Sequence, residues 1–284
     1  MNEELDALHK NNTWDMVDLP LGQSVVGCRW VYKIKTKVDG FVERYKARLV
    51  AKGFTQEYGI DYKETFAPVA SHTSVRCLIA VAAIYRWPLY QMNVKNAFLN
   101  GNLHEEVYMQ PPPSYPHSGS QVCRLRRALY GLKRAPRVWF EKFSSVVAQQ
   151  GFTSSPHDTA LFIPRSSARI TLILLYVDDM IITGDDSTGI RSLQHFLSQH
   201  FEMKDLGTLS YFLGLDVTSS SNGYYLSQAK YAFDLLSKAG IIDNKTVSTP
   251  LEYNAKLTPL DGEPISNAIC YRQLVGNLLY LTVT

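Results

Sequence analysis

The chain has 284 residues, 45% hydrophobic and 19% charged, which excludes wholesale disorder and fits one large domain or two modest ones. Its longest apolar runs, 77–85 and 172–177, fall short of the ~18 residues that cross a bilayer, and its four cysteines lack CxxC or CxxxH spacing, which argues against a zinc finger or a disulfide scaffold. Lys and Arg number 29 against 26 Asp and Glu, a net charge of only +3, so any electrostatic partner must be read from where the charges lie.

The acidic start Met-Asn-Glu-Glu predicts no signal peptide, and with the unpaired thiols it points to an intracellular protein. Residues 2–11 predict a short amphipathic helix with Leu5 and Leu8 on one face. Residues 29–37 alternate Trp30, Tyr32 and Ile34 with Arg29, Val31, Lys33 and Lys35, and Val38-Asp39-Gly40 predicts a turn into a second strand over 41–51. The product is a hairpin with a basic face. Residues 75–85, rich in Ala and Ile, predict a buried helix; 89–94 a short strand; Asn100-Gly101 a turn; and 111–116 a loop. A helix follows over 137–150, stopped by Gly151. Two apolar runs over 170–183 flank Asp178-Asp179 as a hairpin, and 187–200 reads as a helix carrying Ile190, Leu193, Phe196 and Leu197. Short strands over 209–217 and 224–226 precede a helix over 228–239. The order predicts an α+β fold with helices on one face of an antiparallel sheet. The apolar segment from 271 stops abruptly, as expected of a piece of a longer chain.

Two basic clusters stand out. Residues 29–52 carry Arg29, Lys33, Lys35, Lys37, Arg44, Lys46, Arg48 and Lys52 against Asp39 and Glu43. Residues 124–142 carry Arg124, Arg126, Arg127, Lys133, Arg134, Arg137 and Lys142 against Glu141. Interleaved with Trp30, Tyr32, Tyr45, Tyr130 and Trp139, they suit a groove that tracks phosphates and stacks on bases. Two solvated faces fit the charges equally well.

Tyr176-Val177-Asp178-Asp179 is the sharpest local signal. Adjacent carboxylates at the tip of an apolar hairpin repel unless a cation sits against them, and Mg²⁺ is commonly held by one or two carboxylates plus phosphate oxygens. A surface β-turn, in which Asp tolerates the left-handed conformation, fits the dipeptide too.

Around that tetrapeptide stand Cys28-Arg29-Trp30-Val31-Tyr32-Lys33, Arg44-Tyr45-Lys46-Ala47-Arg48-Leu49-Val50-Ala51-Lys52-Gly53 and Glu64-Thr65-Phe66-Ala67-Pro68-Val69. Further on come Val94-Lys95-Asn96-Ala97-Phe98-Leu99-Asn100-Gly101, Leu129-Tyr130-Gly131-Leu132-Lys133, Leu213-Gly214-Leu215-Asp216 and Tyr271-Arg272-Gln273-Leu274-Val275-Gly276. In this order, over essentially the whole chain, they resemble the reverse transcriptases of copia-type retrotransposon Pol polyproteins. The resemblance implies a right-hand polymerase: fingers, a palm with an antiparallel sheet, and a partial thumb. It divides the chain into an N-terminal extension over 1–27, a reverse transcriptase domain over 28–250, and a thumb or connection segment over 251–284 that ends before a ribonuclease H region.

The implied activity is RNA-directed DNA synthesis, with an RNA template, a DNA primer and deoxynucleoside triphosphates as partners and no membrane. Two Mg²⁺ ions, or Mn²⁺ in their place, serve the in-line displacement. The implied metal ligands are Asp178 and Asp179, with a third Asp expected at position 93. This sequence has Asn93 there, which keeps one carbonyl oxygen and loses the charge. A second departure is Arg134, where the family usually has Gln. By the same resemblance Lys46 and Arg48 meet the incoming triphosphate, Phe98 sits under its sugar or else is a core aromatic, Tyr130 and Gly131 line the template-base side, Lys204 is a general acid for pyrophosphate or else a solvated lysine, and a strand pair over 209–216 forms a primer grip. Impaired catalysis is the expectation from Asn93, and a catalytically inactive nucleic-acid-binding remnant is the alternative. A cytoplasmic particle and the nucleus are both open as locations.

Overall fold

Helix α1 (Asn2–Lys10) opens the chain, with Leu8 buried and Leu5 packed against the same core. The structure is a computed structural model that describes residues 1–36, 41–165, 169–221, 223–240, 254, 256, 258 and 265–283. The expected Asp39-Gly40 turn lies outside the described residues. The strands on either side of it run over Cys28–Thr36 and Val42–Ala51.

After α1 come β1 (Trp14–Asp18), β2 (Val25–Val26), β3 (Cys28–Thr36), β4 (Val42–Ala51), α2 (His72–Tyr85), β5 (Leu89–Val94), β6 (Tyr108–Met109) and β7 (Gln121–Leu125). Next are α3 (Ala135–Ala148), β8 (Phe152–Ser154), β9 (Leu161–Pro164), β10 (Thr171–Tyr176), β11 (Asp179–Gly184), α4 (Ser187–His200) and β12 (Met203–Thr208). These form the first of two units, Met1–Thr208. The second unit, Leu209–Thr284, holds β13 (Tyr211–Phe212), β14 (Leu215–Ser220), β15 (Gly223–Ser227), α5 (Ala229–Ala239) and α6 (Ala268–Val283). The strand segment expected over 209–217, read also as a strand pair over 209–216, is two antiparallel strands, β13 and β14. Leu213 and Gly214 adopt φ +48° and +77°, a reversal that a continuous strand does not allow.

The mixed α/β first unit is organised on a six-stranded antiparallel sheet in the order β12-β5-β11-β10-β9-β8. Trp139, Phe143, Val146 and Val147 of α3 and Ile190, Leu193 and Leu197 of α4 pack in one core with Met92, Val94, Ile173, Leu175, Met180 and Ile182 of the sheet. Successive side chains of a strand face opposite sides, yet Leu174 and Ile181 are also fully buried. The middle of the sheet is thus covered on both faces, where one-sided packing was expected. A second core joins Leu8, Leu49, Ala51, Met109, Cys123, Leu129 and Val138.

Helix α2 differs from its expectation as well. Only the stripe Val75, Leu78, Ile79 and Ala82 is buried, while Ile84 and Tyr85 are exposed. Helix α3 starts two residues early because Pro136 suits the first turn, where its missing N–H costs no hydrogen bond. No helix among the described residues is long and apolar enough to cross a membrane.

Candidate active site

Strands β10 and β11 pair from Thr171↔Gly184 to Tyr176↔Asp179, so Val177 and Asp178 form the hairpin tip. Strand β5 pairs with β11 in a register that sets Asn93 opposite Asp179, and β12 sets Lys204 opposite Asn93 on the other side. Asn93 Nδ2 donates to Asp178 Oδ2 at 3.1 Å and to Asp179 Oδ1 at 2.7 Å. Two acceptor-only carboxylates fix the amide with its NH₂ toward them. The Val94 N–H donates to the Asp178 carbonyl at 2.6 Å. Burial holds the Asp179 carboxyl above its ordinary range; the Asn93 hydrogen bond opposes that shift and the neighbouring Asp178 charge adds to it.

A cleft of about 840 Å³ opens at this point, lined by Asn93, Asp178, Lys95 and Lys204, by Arg44, Lys46 and Arg48 of β4, and by Glu3 and Glu4 of α1. The β3–β4 register pairs Arg29 with Val50, Val31 with Arg48, Lys33 with Lys46 and Lys35 with Arg44. Opposed residues share a face, so Arg29, Lys33, Lys35, Arg44, Lys46 and Arg48 form one basic surface. None of these six has an ion-pair partner among the described residues. Burial and the charges of Arg48, Arg44 and Lys35 push the Lys46 ammonium below its ordinary range, against the pull of Glu4.

The second basic cluster is different. Arg124 meets Glu106 at 2.7 Å, Arg126 meets Asp15 at 2.5 Å, and Arg137 meets Glu64 at 3.2 Å and Glu141 at 2.9 Å. Arg134 pairs with Glu105 at 2.8 Å. Carboxylates thus pair with four of the seven cations of this cluster, whereas Arg127, Lys133 and Lys142 have no ion-pair partner among the described residues. Trp139, read from the sequence as a stacking residue, is 1% exposed and belongs to the core.

Arg48 connects the cleft to an aromatic pair. Its guanidinium carbon lies 4.0 Å from the centre of the Tyr130 ring, and that ring is tilted against Phe98 at 4.8 Å. Burial pushes the Tyr130 hydroxyl up to about 12; Arg48 opposes the shift, while Asp178 and Glu4 add to it. Phe98 stands in a 3-10 turn, Ala97–Asn100, directly after β5. Gly131 has φ +91°, and a Cβ there would collide with the Ala51 carbonyl oxygen. Ala51 N–H in turn donates to the Tyr130 carbonyl at 2.8 Å. That close backbone approach holds β4 against the Tyr130 loop.

Asn93, Asp178, Lys46, Arg48 and Lys204 thus share one cleft, Asp179 joins them through Asn93, and Phe98, Tyr130 and Gly131 adjoin it through Arg48. Sequence reasoning passed over Glu4. It is 7% exposed, accepts the Leu49 N–H at 3.4 Å, and has its carboxyl raised above the ordinary range by burial, against that hydrogen bond and the charges of Arg48 and Lys46. Its spacing from Leu8 on one helical face was the available signal.

Among the described residues no group of three or more His, Cys, Asp and Glu side chains is arranged to hold a metal. Asn93 turns its N–H groups, not its carbonyl oxygen, toward Asp178 and Asp179.

Residues 11–253 match the reverse transcriptase (RNA-dependent DNA polymerase) family. Retrovirus-related Pol polyproteins from transposon RE1 of Arabidopsis thaliana and from transposon TNT 1-94 of Nicotiana tabacum are 43% and 40% identical to it over 100% of this chain. The chain spans only 20% and 22% of the length of those two relatives. A solved foamy viral protease-reverse transcriptase in complex with double-stranded DNA overlaps 84% of this chain and 38% of that one, at 13% identity and TM-score 0.42, a likeness too distant to decide the fold.

Proposed function

The chain belongs to the reverse transcriptase family, and from that premise we propose that it acts as an RNA-directed DNA polymerase domain whose metal site is weakened by Asn93. One observation carries this reading: the Asp178 carboxylate lines the same cleft as Lys46 and Arg48, two cations with no ion-pair partner among the described residues. Acid and base in one cleft suit a triphosphate that arrives with a divalent cation.

In this reading residues 28–250 form fingers and palm, with 1–27 before them and 251–284 opening a thumb. The partners are an RNA template, a DNA primer and deoxynucleoside triphosphates. Lys46 and Arg48 bind the triphosphate and neutralise charge that develops on the leaving pyrophosphate. Phe98 lies under the incoming sugar, where its bulk excludes a 2′-hydroxyl. Tyr130 and Gly131 border the template base, glycine allowing the close approach. Lys204 donates a proton to pyrophosphate. Asp178 and Asp179 would hold Mg²⁺, or Mn²⁺, which when bound would supply positive charge to the phosphate oxygens and so favour attack by the primer 3′-oxygen.

A second reading has its own support. The Asn93 amide already donates a hydrogen bond to each carboxylate, which suits a remnant that binds nucleic acid without chemistry. Primer extension on an RNA template, with Mg²⁺ or Mn²⁺, tests the choice. Slow metal-dependent extension supports the polymerase reading; duplex binding with no extension at all supports the remnant.

A further inference from the structure

Val177 occupies the left-handed region, with φ +55°, at the tip that carries Asp178. A β-branched side chain tolerates this conformation poorly, because its Cβ substituents crowd the backbone. Such a residue persists only where its surroundings over-determine it. Two hydrogen bonds do so here. Val94 N–H donates to the Asp178 carbonyl at 2.6 Å, and Trp139 Nε1–H donates to the Val177 carbonyl at 2.7 Å.

Trp139 is fixed in its turn. It lies on α3, is 1% exposed, and its ring packs edge-on against Phe201 at 5.2 Å and tilted against Phe143 at 5.7 Å. An indole N–H is a donor only, and a buried one needs an acceptor. The acceptor it finds is the carbonyl of the strained residue directly before the carboxylate pair.

We infer that Trp139 is a positioning residue, whose indole N–H pins Val177 in its strained conformation and so sets the direction of Asp178 and Asp179; the metal-holding part of this inference rests on the function proposed above. Tertiary packing on α3 is in this way converted into the angle of two side chains at a hairpin tip. The tip needs that control because Val177 and Asp178 lie beyond Tyr176↔Asp179, the last pair of the β10–β11 ladder.

The test uses Trp139→Phe, which keeps an aromatic ring and removes the donor, in the full chain with and without Val177→Gly, which removes the strain. Hydrogen exchange at the Val94 N–H reports the tip without any metal. Loss of the pinning bond should lower protection there by about tenfold, the effect of one buried hydrogen bond left unmade, with Leu174 in mid-sheet unchanged. Mn²⁺ affinity, followed by electron paramagnetic resonance, should fall by a similar factor. In the Val177→Gly background both losses should shrink to about twofold. Unchanged Val94 protection, a uniform fall across the sheet, or equal losses in both backgrounds would overturn the inference. Val177→Gly alone should raise the thermal midpoint, and a lower midpoint would refute the strain even if Trp139→Phe does not fold. If Val94 responds as stated while Mn²⁺ never binds, the metal reading of Asp178 and Asp179 fails and the pinned tip stands. If Mn²⁺ binds and Trp139→Phe leaves its affinity unchanged, the metal reading stands and the inference fails.

Discussion

Lys33 and Lys46 stand directly opposite one another across β3 and β4. Like charges at opposed positions destabilise a strand pair, and the next opposed pair on that face, Lys35 and Arg44, repeats the conflict. Elsewhere in the first unit Arg124, Arg126, Arg134 and Arg137 each have a carboxylate. The hairpin keeps a cationic face with no ion-pair partner among the described residues, which costs stability in the free protein and is offset when a polyanion lies across it.

Binding of a primer–template duplex should therefore be steeply salt-dependent, falling by orders of magnitude between about 50 and 200 mM salt as condensed counterions are released. Lys33→Gln with Lys35→Gln should reduce the slope of log K against log salt by about 2, one for each lysine that no longer meets a phosphate. Arg124→Gln with Arg126→Gln should leave the slope unchanged. Fluorescence anisotropy at several salt concentrations measures both, and equal slopes for the two double variants would remove the distinction between the clusters.

Gly131→Ala tests the backbone approach that brings Arg48 to Tyr130. The residue has φ +91°, and an added Cβ meets the Ala51 carbonyl oxygen. The left-handed conformation and the collision together should cost about 2 kcal/mol or more in urea unfolding. Because Ala51 is three residues from Arg48 on β4, the same change should weaken triphosphate binding. A variant as stable as the parent would show that the loop shifts freely.

What the sequence disclosed follows the strength of local pattern. Strand β5, the β10–β11 hairpin and α4 have regular apolar spacing, and their boundaries were legible within a residue or two. Strand β12 was not. Its stretch Met-Lys-Asp-Leu-Gly-Thr is mostly exposed, so no period marks it, and it forms by pairing with β5. The meeting of Asn93 with Asp178 was readable only through resemblance, since 85 residues separate them. The carboxylates that neutralise Arg124 and Arg126 had no local signal, because Glu106 and Asp15 reach them only through the β1-β7-β6 pairing. Trp139 misled for the converse reason: an aromatic among arginines looks like a stacking platform, and its helical face is what buries it.

Glu4 predicts a pH effect with a definite sign. Burial raises its carboxyl above the ordinary value of 4.5, so the folded state binds the proton more tightly than the unfolded one. The stability it contributes is complete below that ordinary value and is lost as pH rises through the folded-state value. Glu4→Gln cannot titrate, so its stability should gain on that of the parent as pH is raised through this window. Urea unfolding at steps from about pH 4 to pH 8 measures the difference. Parallel curves for the two proteins would mean that Arg48 and Lys46 fully compensate the buried charge.

Asn93→Asp is the test that bears most directly on catalysis. In the unaltered chain the amide spans both carboxylates, at 3.1 and 2.7 Å, and its two N–H groups ease their approach without cancelling their charge. Aspartate in the same place offers only oxygens. Three carboxylates then converge and repel, which destabilises the metal-free protein and favours divalent ions. Mg²⁺-dependent primer extension should rise by about 100-fold or more, since metal geometry off by about an ångström costs that much. Thermal stability without metal should fall, and Mg²⁺ should recover it by preferential binding to the folded state. Asp178→Asn in the restored protein should abolish extension. Robust synthesis by the unaltered chain would show that Asn93 suffices as it stands. A restored protein that gains Mg²⁺ affinity without gaining activity would place the defect beyond the metal site, with Arg134 and its ion pair to Glu105 the first position to examine.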